Sequence, residues 1–215
     1  MVDKRKIFIG IATISAIGIL GYFIYEAYTQ GKIQYPQIVK PLYIYIYPKG
    51  FIPPIYFENY DKHWGFTDFK NKVILDLGTD YGSTAYYFLN KGALKVIAVE
   101  GNKYLAERLK LNFKDDPRVV PIYLEIKSGK EIEELIDTYH PDIVKVDIEG
   151  AEINILSVNI RKVKEWLIET HTDEIYNALA EWFRMNGFNI KTYPYRIYFK
   201  TFPYLQRLKI IYAWM

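Results

Sequence analysis

The sequence predicts an α/β protein built on a doubly wound sheet of seven strands, the last antiparallel, preceded by an N-terminal transmembrane helix. Three observations predict it. Apolar strand-like runs alternate with helical periodicity from Val73 onward, a glycine-bearing turn follows the first of these strands, and two later extended runs have no helix between them. Strands separated by helices require parallel pairing with right-handed crossovers, so a pair without one implies a reversed final strand.

Residues 1–28 read as a membrane anchor. From Ile7 to Tyr25 no residue is charged, and at about 1.5 Å per residue this span covers about 28 Å, close to the hydrocarbon thickness of a bilayer. Lys4-Arg5-Lys6 precede it and Glu26 follows. A cleaved signal peptide would have a shorter apolar stretch and a small-x-small site, and no convincing one is present. Residues 29–71 form a Pro/Tyr-rich connecting region or lid. Prolines 36, 41, 48, 53 and 54 surround Leu42-Tyr-Ile-Tyr-Ile-Tyr47, whose alternation suits an edge strand or hairpin. Tyr56, Tyr60 and Trp64 are candidates for substrate contact, although packing is the preferred explanation.

Residues 72–215 form the main domain. A strand at 73–77 leads through Gly78 and Gly82 into a helix at 83–91. A second strand covers 96–100, and Asn102 then caps a helix with Leu105, Leu109 and Phe113 on one face. A third strand spans 118–124. Ser128-Gly-Lys-Glu131 has the form of a capping box, and Ile132, Leu135, Ile136 and Tyr139 align behind it. The fourth strand runs over 142–148 and the fifth over 165–169. Ile175, Leu179, Trp182 and Phe183 face inward from the next helix, which Gly187 ends. Extended runs at 188–193 and 208–214 complete the seven.

The chemistry centres on Asp76-Leu-Gly-Thr-Asp-Tyr-Gly82. In an open α/β sheet, ligands bind beyond the carboxyl ends of the strands, against a helix N-terminus. The spacing Asp76-x-Gly78-x-x-x-Gly82 lacks the G-x-G-x-x-G cradle of a dinucleotide site. An acid after the strand, a wider glycine pair and a second acid, Glu100, closing the next strand suit a cofactor with a ribose and a cationic amino-acid tail, as in S-adenosylmethionine.

Three blocks together resemble the FkbM-like family of class I S-adenosylmethionine-dependent methyltransferases. They are Asp76-Leu-Gly-Thr-Asp-Tyr-Gly-Ser-Thr-Ala-Tyr-Tyr-Phe88, Lys91-Gly-Ala-Leu-Lys-Val-Ile-Ala-Val-Glu100 and Lys145-Val-Asp-Ile-Glu-Gly-Ala-Glu152. The first is common to class I methyltransferases, and the third is distinctive. The departure is Thr79-Asp80, where the family carries a small residue and then a neutral polar one. The resemblance implies a Rossmann-like methyltransferase fold, S-adenosylmethionine as cofactor, and methyl transfer to a hydroxyl of a glycan, lipid head group or small molecule.

On this reading Asp76 binds the methionine amino group directly or through water, Gly78, Thr79, Asp80, Gly82 and Ser83 shape the turn around it, and Glu100 accepts the ribose hydroxyls. A hydroxyl acceptor also needs its proton removed. Lys145, Asp147 and Glu149 alternate with apolar residues and are expected to share one face of a strand or its end. Asp147 or Glu149 is placed to orient or deprotonate the acceptor, Lys145 to hold their geometry, and His171 to serve as a further base. A structural ion network around Gly150 is the competing role, and Glu152 reads as structural.

No metal site is assigned, since His63, His140 and His171 have no ligand spacing, although a divalent ion at Asp147, Glu149 and a third carboxylate stays open. The absence of cysteine excludes disulfides and thiolate chemistry. A net charge of +3 without a basic face gives no support for a nucleic-acid partner. Charge bias around the anchor favours an external domain. A cytosolic cofactor favours the cytosolic face, and the domain is placed there.

Overall fold

The computed structural model describes residues 60–194 and 208–215. The expected anchor at residues 7–25, the run at 42–47 and Tyr56 lie outside these. Among the described residues no helix is long and apolar enough to cross a membrane.

Seven strands form one sheet: β1 (Val73–Leu77), β2 (Lys95–Glu100), β3 (Val119–Tyr123), β4 (Ile143–Val146), β5 (Glu165–Thr170), β6 (Asn189–Pro194) and β7 (Lys209–Trp214). Their order is β3-β2-β1-β4-β5-β7-β6. The first five are parallel, while β7 runs antiparallel to both β5 and β6, as expected from the sequence. Pro121 and Pro194 fall on β3 and β6, the two edge strands, where a missing N–H costs no ladder bond. Among the described residues the α-helices are α1 (Tyr60–His63), α2 (Ser83–Asn90), α3 (Lys103–Asn112), α4 (Gly129–Tyr139) and α5 (Asp173–Met185).

The helix starts follow the predicted chemistry. Asn102 accepts from the amides of Tyr104 and Leu105 at the head of α3. Ser128 and Glu131 form the reciprocal capping box of α4. Thr172 caps α5 through the amide of Ile175, and Gly187, at φ +87°, lets the chain turn off its end. Between the layers, Ile132, Leu135 and Ile136 of α4 and Leu179 and Phe183 of α5 pack with Leu75, Val144, Trp166 and Ile168 of the sheet.

One expectation needs correction. The fourth strand ends at Val146 rather than 148, because Glu149 and Gly150 both take left-handed backbone, at φ +54° and +100°, and turn the chain into a 3₁₀ helix at Ala151–Ser157. Lys145 alone of the charged trio therefore lies on the strand. Residues 60–69 supply core, and the packing reading holds for Tyr60 and Trp64: these and Phe69 are buried, with Tyr60 and Phe69 against the ring of Tyr87 on α2.

Chain order reverses between β1 and β4, leaving a crevice at the carboxyl ends of these two strands, where ligands of open α/β sheets bind.

Candidate active site

Beyond β1, Gly78 and Gly82 have φ +76° and +91°, and Asp80 has φ +50°. The glycines are demanded by neighbouring protein. A Cβ on Gly78 would stand 1.7 Å from the carbonyl oxygen of Asp147, and one on Gly82 would stand 2.3 Å from the ring of Phe113 and 2.8 Å from Leu109. The turn is thus pressed against β4 on one side and α3 on the other. Thr79 is buried, with its hydroxyl 3.3 Å from that of Thr84.

At the head of α2 Asp80 folds back. Its Oδ2 accepts the Ser83 hydroxyl at 2.6 Å and its Oδ1 lies 3.5 Å from the Ser83 amide. The backbone N–H of Asp80 donates to Glu100 Oε2, and that of Asn102 to Oε1. Glu100 is 8 % exposed at the end of β2. Burial raises its pKa, partly offset by these two amides. Each carboxylate oxygen retains a lone-pair direction, so Glu100 has capacity for two further donors.

Asp76 sits deeper than the sequence suggested. It is fully buried, Thr84 donates to its Oδ2 at 2.6 Å, and Lys145 Nζ lies 3.1 Å from its Oδ1. Lys145 is also fully buried. It donates to the Gly78 carbonyl at 2.6 Å, lies 3.8 Å from Asp147 Oδ2 and stands 5.1 Å over the ring of Trp64. Burial opposes its charge, but the carboxylates of Asp76 and Asp147 outweigh that and raise its pKa. It therefore ties the glycine turn to the acid after β4, a positioning role.

The second group surrounds His171, just after β5. Its Nδ1 is 2.9 Å from Oε1 of the fully buried Glu152, and the same oxygen accepts the amides of Ile148 and Gly150. Its Nε2 faces Glu149 at 3.4 Å, Asp147 at 3.7 Å and Glu169 at 3.7 Å. The structure thus brings Lys145, Asp147, Glu149 and His171 together, with Glu152 as the support expected. Burial and the neighbouring Glu169 charge raise the Asp147 pKa to about 7. Burial raises Glu169 to about 7. For His171 burial opposes protonation, but the Glu152 hydrogen bond and the surrounding acids push its pKa up to about 9.

His63 was missed as a site residue. His63 Nε2 pairs with Glu169 Oε2, and its ring stacks on Trp64 at 4.4 Å. The contact joins residues 106 apart in sequence, so no local spacing signals it.

No family model matches the chain. It is 32 % identical over 116 residues to the uncharacterized protein 158B of Sulfolobus islandicus rod-shaped virus 1, covering 54 % of this chain and 71 % of that protein. It is 29 % identical over 118 residues to the uncharacterized protein 65 of Sulfolobus islandicus filamentous virus, covering 54 % and 70 %. Among solved structures, it resembles precorrin-6y C5,15-methyltransferase of Geobacter metallireducens, at TM-score 0.50 and 18 % identity, over 68 % of this chain and 81 % of that one. Precorrin 8w decarboxylase of Methanobacterium thermoautotrophicum gives 0.52 and 18 %, over 68 % and 83 %. These likenesses establish the Rossmann-like class I methyltransferase fold. By sequence, the chain belongs to the family of the rod-shaped virus protein 158B.

Proposed function

We propose that this chain is an S-adenosylmethionine-dependent methyltransferase of the FkbM-like type, anchored by residues 1–28 and acting at the cytosolic face on a hydroxyl of a glycan, lipid head group or small molecule. The anchor and its orientation rest on the sequence alone, and the acceptor class on the motif resemblance. The observation that carries the cofactor is the acidic mouth formed by Asp80 and Glu100 at the head of α2. A pyrophosphate needs free N–H groups and a positive field at that helix terminus. Here the Asp80 carboxylate already occupies the Ser83 hydroxyl and lies beside its amide, and Glu100 adds a second negative charge. The field favours a cationic nucleoside and disfavours a dinucleotide.

Glu100 fits the ribose diol, since each of its oxygens has one backbone partner and room for one more. Bound there, the cofactor supplies an electrophilic methyl group. The chain's own residues orient the acceptor and take its proton. Asp147, with a pKa of about 7, is matched to a general-base role near neutrality. His171, at about 9, is then protonated and stabilises the acids around it rather than serving as the base.

Calorimetric titration of the full chain with S-adenosylmethionine and S-adenosylhomocysteine tests this reading. Saturable binding of both is expected, with none of NAD(H). No heat with either methyl compound rejects it. A second reading, a non-catalytic module of the same fold, is favoured by the full enclosure of Asp76 with Lys145, and absence of methyl transfer despite donor binding would select it.

A further inference from the structure

We propose that Asp147, Glu149 and His171 form a binding site for a first-row divalent cation, a metal centre beside the methyl-donor crevice. One ligand atom from each lies within 4.8 Å of the other two. They come from two strand ends and the intervening turn, as an assembled site requires.

The separations are close to those of ligands around one ion. Glu149 and Asp147 oxygens stand 3.4 and 3.7 Å from His171 Nε2, long for charge-assisted hydrogen bonds. With metal–ligand bonds of roughly 2.0–2.2 Å, ligands of one ion stand roughly 3.0–3.6 Å apart. The observed spacing therefore leaves room for an ion between them.

The support behind the three residues points the same way. A ligating imidazole usually donates its other N–H to a carboxylate, which fixes its rotation and tautomer. Glu152 does this at Nδ1, and with the same oxygen it holds the amides of Ile148 and Gly150. One buried carboxylate thus aims the imidazole and shapes the turn that carries Glu149. Glu149 itself is 87 % exposed and has left-handed backbone, and its carboxylate lies 3.4 Å from His171 Nε2.

Imidazole with two carboxylates suits manganese, cobalt, iron or zinc better than calcium. His171 would bind as neutral imidazole, releasing its Nε2 proton to solvent. Three protein ligands leave coordination positions for acceptor oxygens. Resting on the methyltransferase reading, this narrows the acceptor to one offering adjacent oxygens, such as a vicinal diol. With the cation bound, Asp147 is a ligand, and the acidified acceptor hydroxyl loses its proton to solvent as the oxygen–methyl bond forms and the sulfur–methyl bond breaks.

The test is titration of chelator-treated, full-length protein with Co²⁺ in the absence of methyl donor, followed by visible absorption and calorimetry. A single saturable site with ligand-field bands is expected. Glu149→Gln, an exposed change that the fold tolerates, and Asp147→Asn should each weaken it, and Glu152→Gln should weaken it roughly tenfold or more. Glu134→Gln on α4 should leave it unchanged. No saturable binding up to about 1 mM, or binding indifferent to Glu149→Gln and Asp147→Asn, overturns the proposal. Donor titration of the same samples keeps the two readings apart: donor binding without cobalt sinks the metal site alone, and cobalt binding without donor sinks only the methyltransferase.

Discussion

Asp76 and Lys145 are directly paired in the register of the parallel strands β1 and β4, and their side chains meet in the fully buried layer with Nζ 3.1 Å from Oδ1. Removing one partner leaves the other charged and enclosed. Lys145→Met should therefore cost about 3–5 kcal/mol in urea unfolding. The double change Asp76→Asn with Lys145→Met should recover part of that loss, because no orphaned charge remains.

The glycines of the two turns separate close packing from backbone strain. Gly78→Ala would drive a methyl group into the Asp147 carbonyl at φ +76°, whereas Gly150→Ala meets nothing within 4 Å and suffers only from its φ of +100°. Losses of about 3 kcal/mol or more are expected for the first and about 1–2 kcal/mol for the second. Equal melting temperatures for the two variants would contradict this account of the turn.

Stability of the metal-free protein should fall as pH rises. Asp147 and Glu169 have folded pKa values of about 7, above their ordinary carboxyl values, and His171 lies at about 9, above that of free imidazole. Each binds more protons folded than unfolded, so each contribution is full at low pH and is lost as pH climbs through the folded value. The acids act from about pH 4 to 7 and the imidazole from about 6.5 to 9. Glu169→Gln should flatten the lower part of a melting-temperature profile taken with chelator present.

Glu100→Gln tests the ribose contact. One amide oxygen cannot replace two carboxylate oxygens that already accept the Asp80 and Asn102 amides. Donor affinity should drop about ten- to a hundredfold, matching the usual worth of a hydrogen bond to a charged group. An unchanged calorimetric affinity would remove Glu100 from the cofactor site.

The sheet was legible because periodicity is a local property. The runs at Val73, Lys95 and Glu165 are apolar enough to declare themselves strands, and Asn102 and Ser128 announce their helices by capping chemistry that acts over three residues. The end of β4 was not legible, because Asp147-Ile148-Glu149 continues the alternation while the left-handed turn depends on Glu152 accepting two backbone amides. Asp76 likewise looks like a ligand in the motif, and only the neighbouring strand reveals that Lys145 claims it. The pairing of His63 with Glu169 lay beyond local reading for the same reason: both are unremarkable until the sheet places α1 beside β5.

During synthesis, β6 emerges before its strand partner, since among the described residues β7 alone pairs with it and follows fifteen residues later, counted from Pro194 to Lys209. Until β7 leaves the ribosome, the ladder groups of β5 on that side stay open, and an unprotected edge invites pairing with other chains. The inserted antiparallel strand thus acts as a late lock on the nascent protein, making premature termination between β6 and β7 a route to aggregation rather than to a smaller working domain.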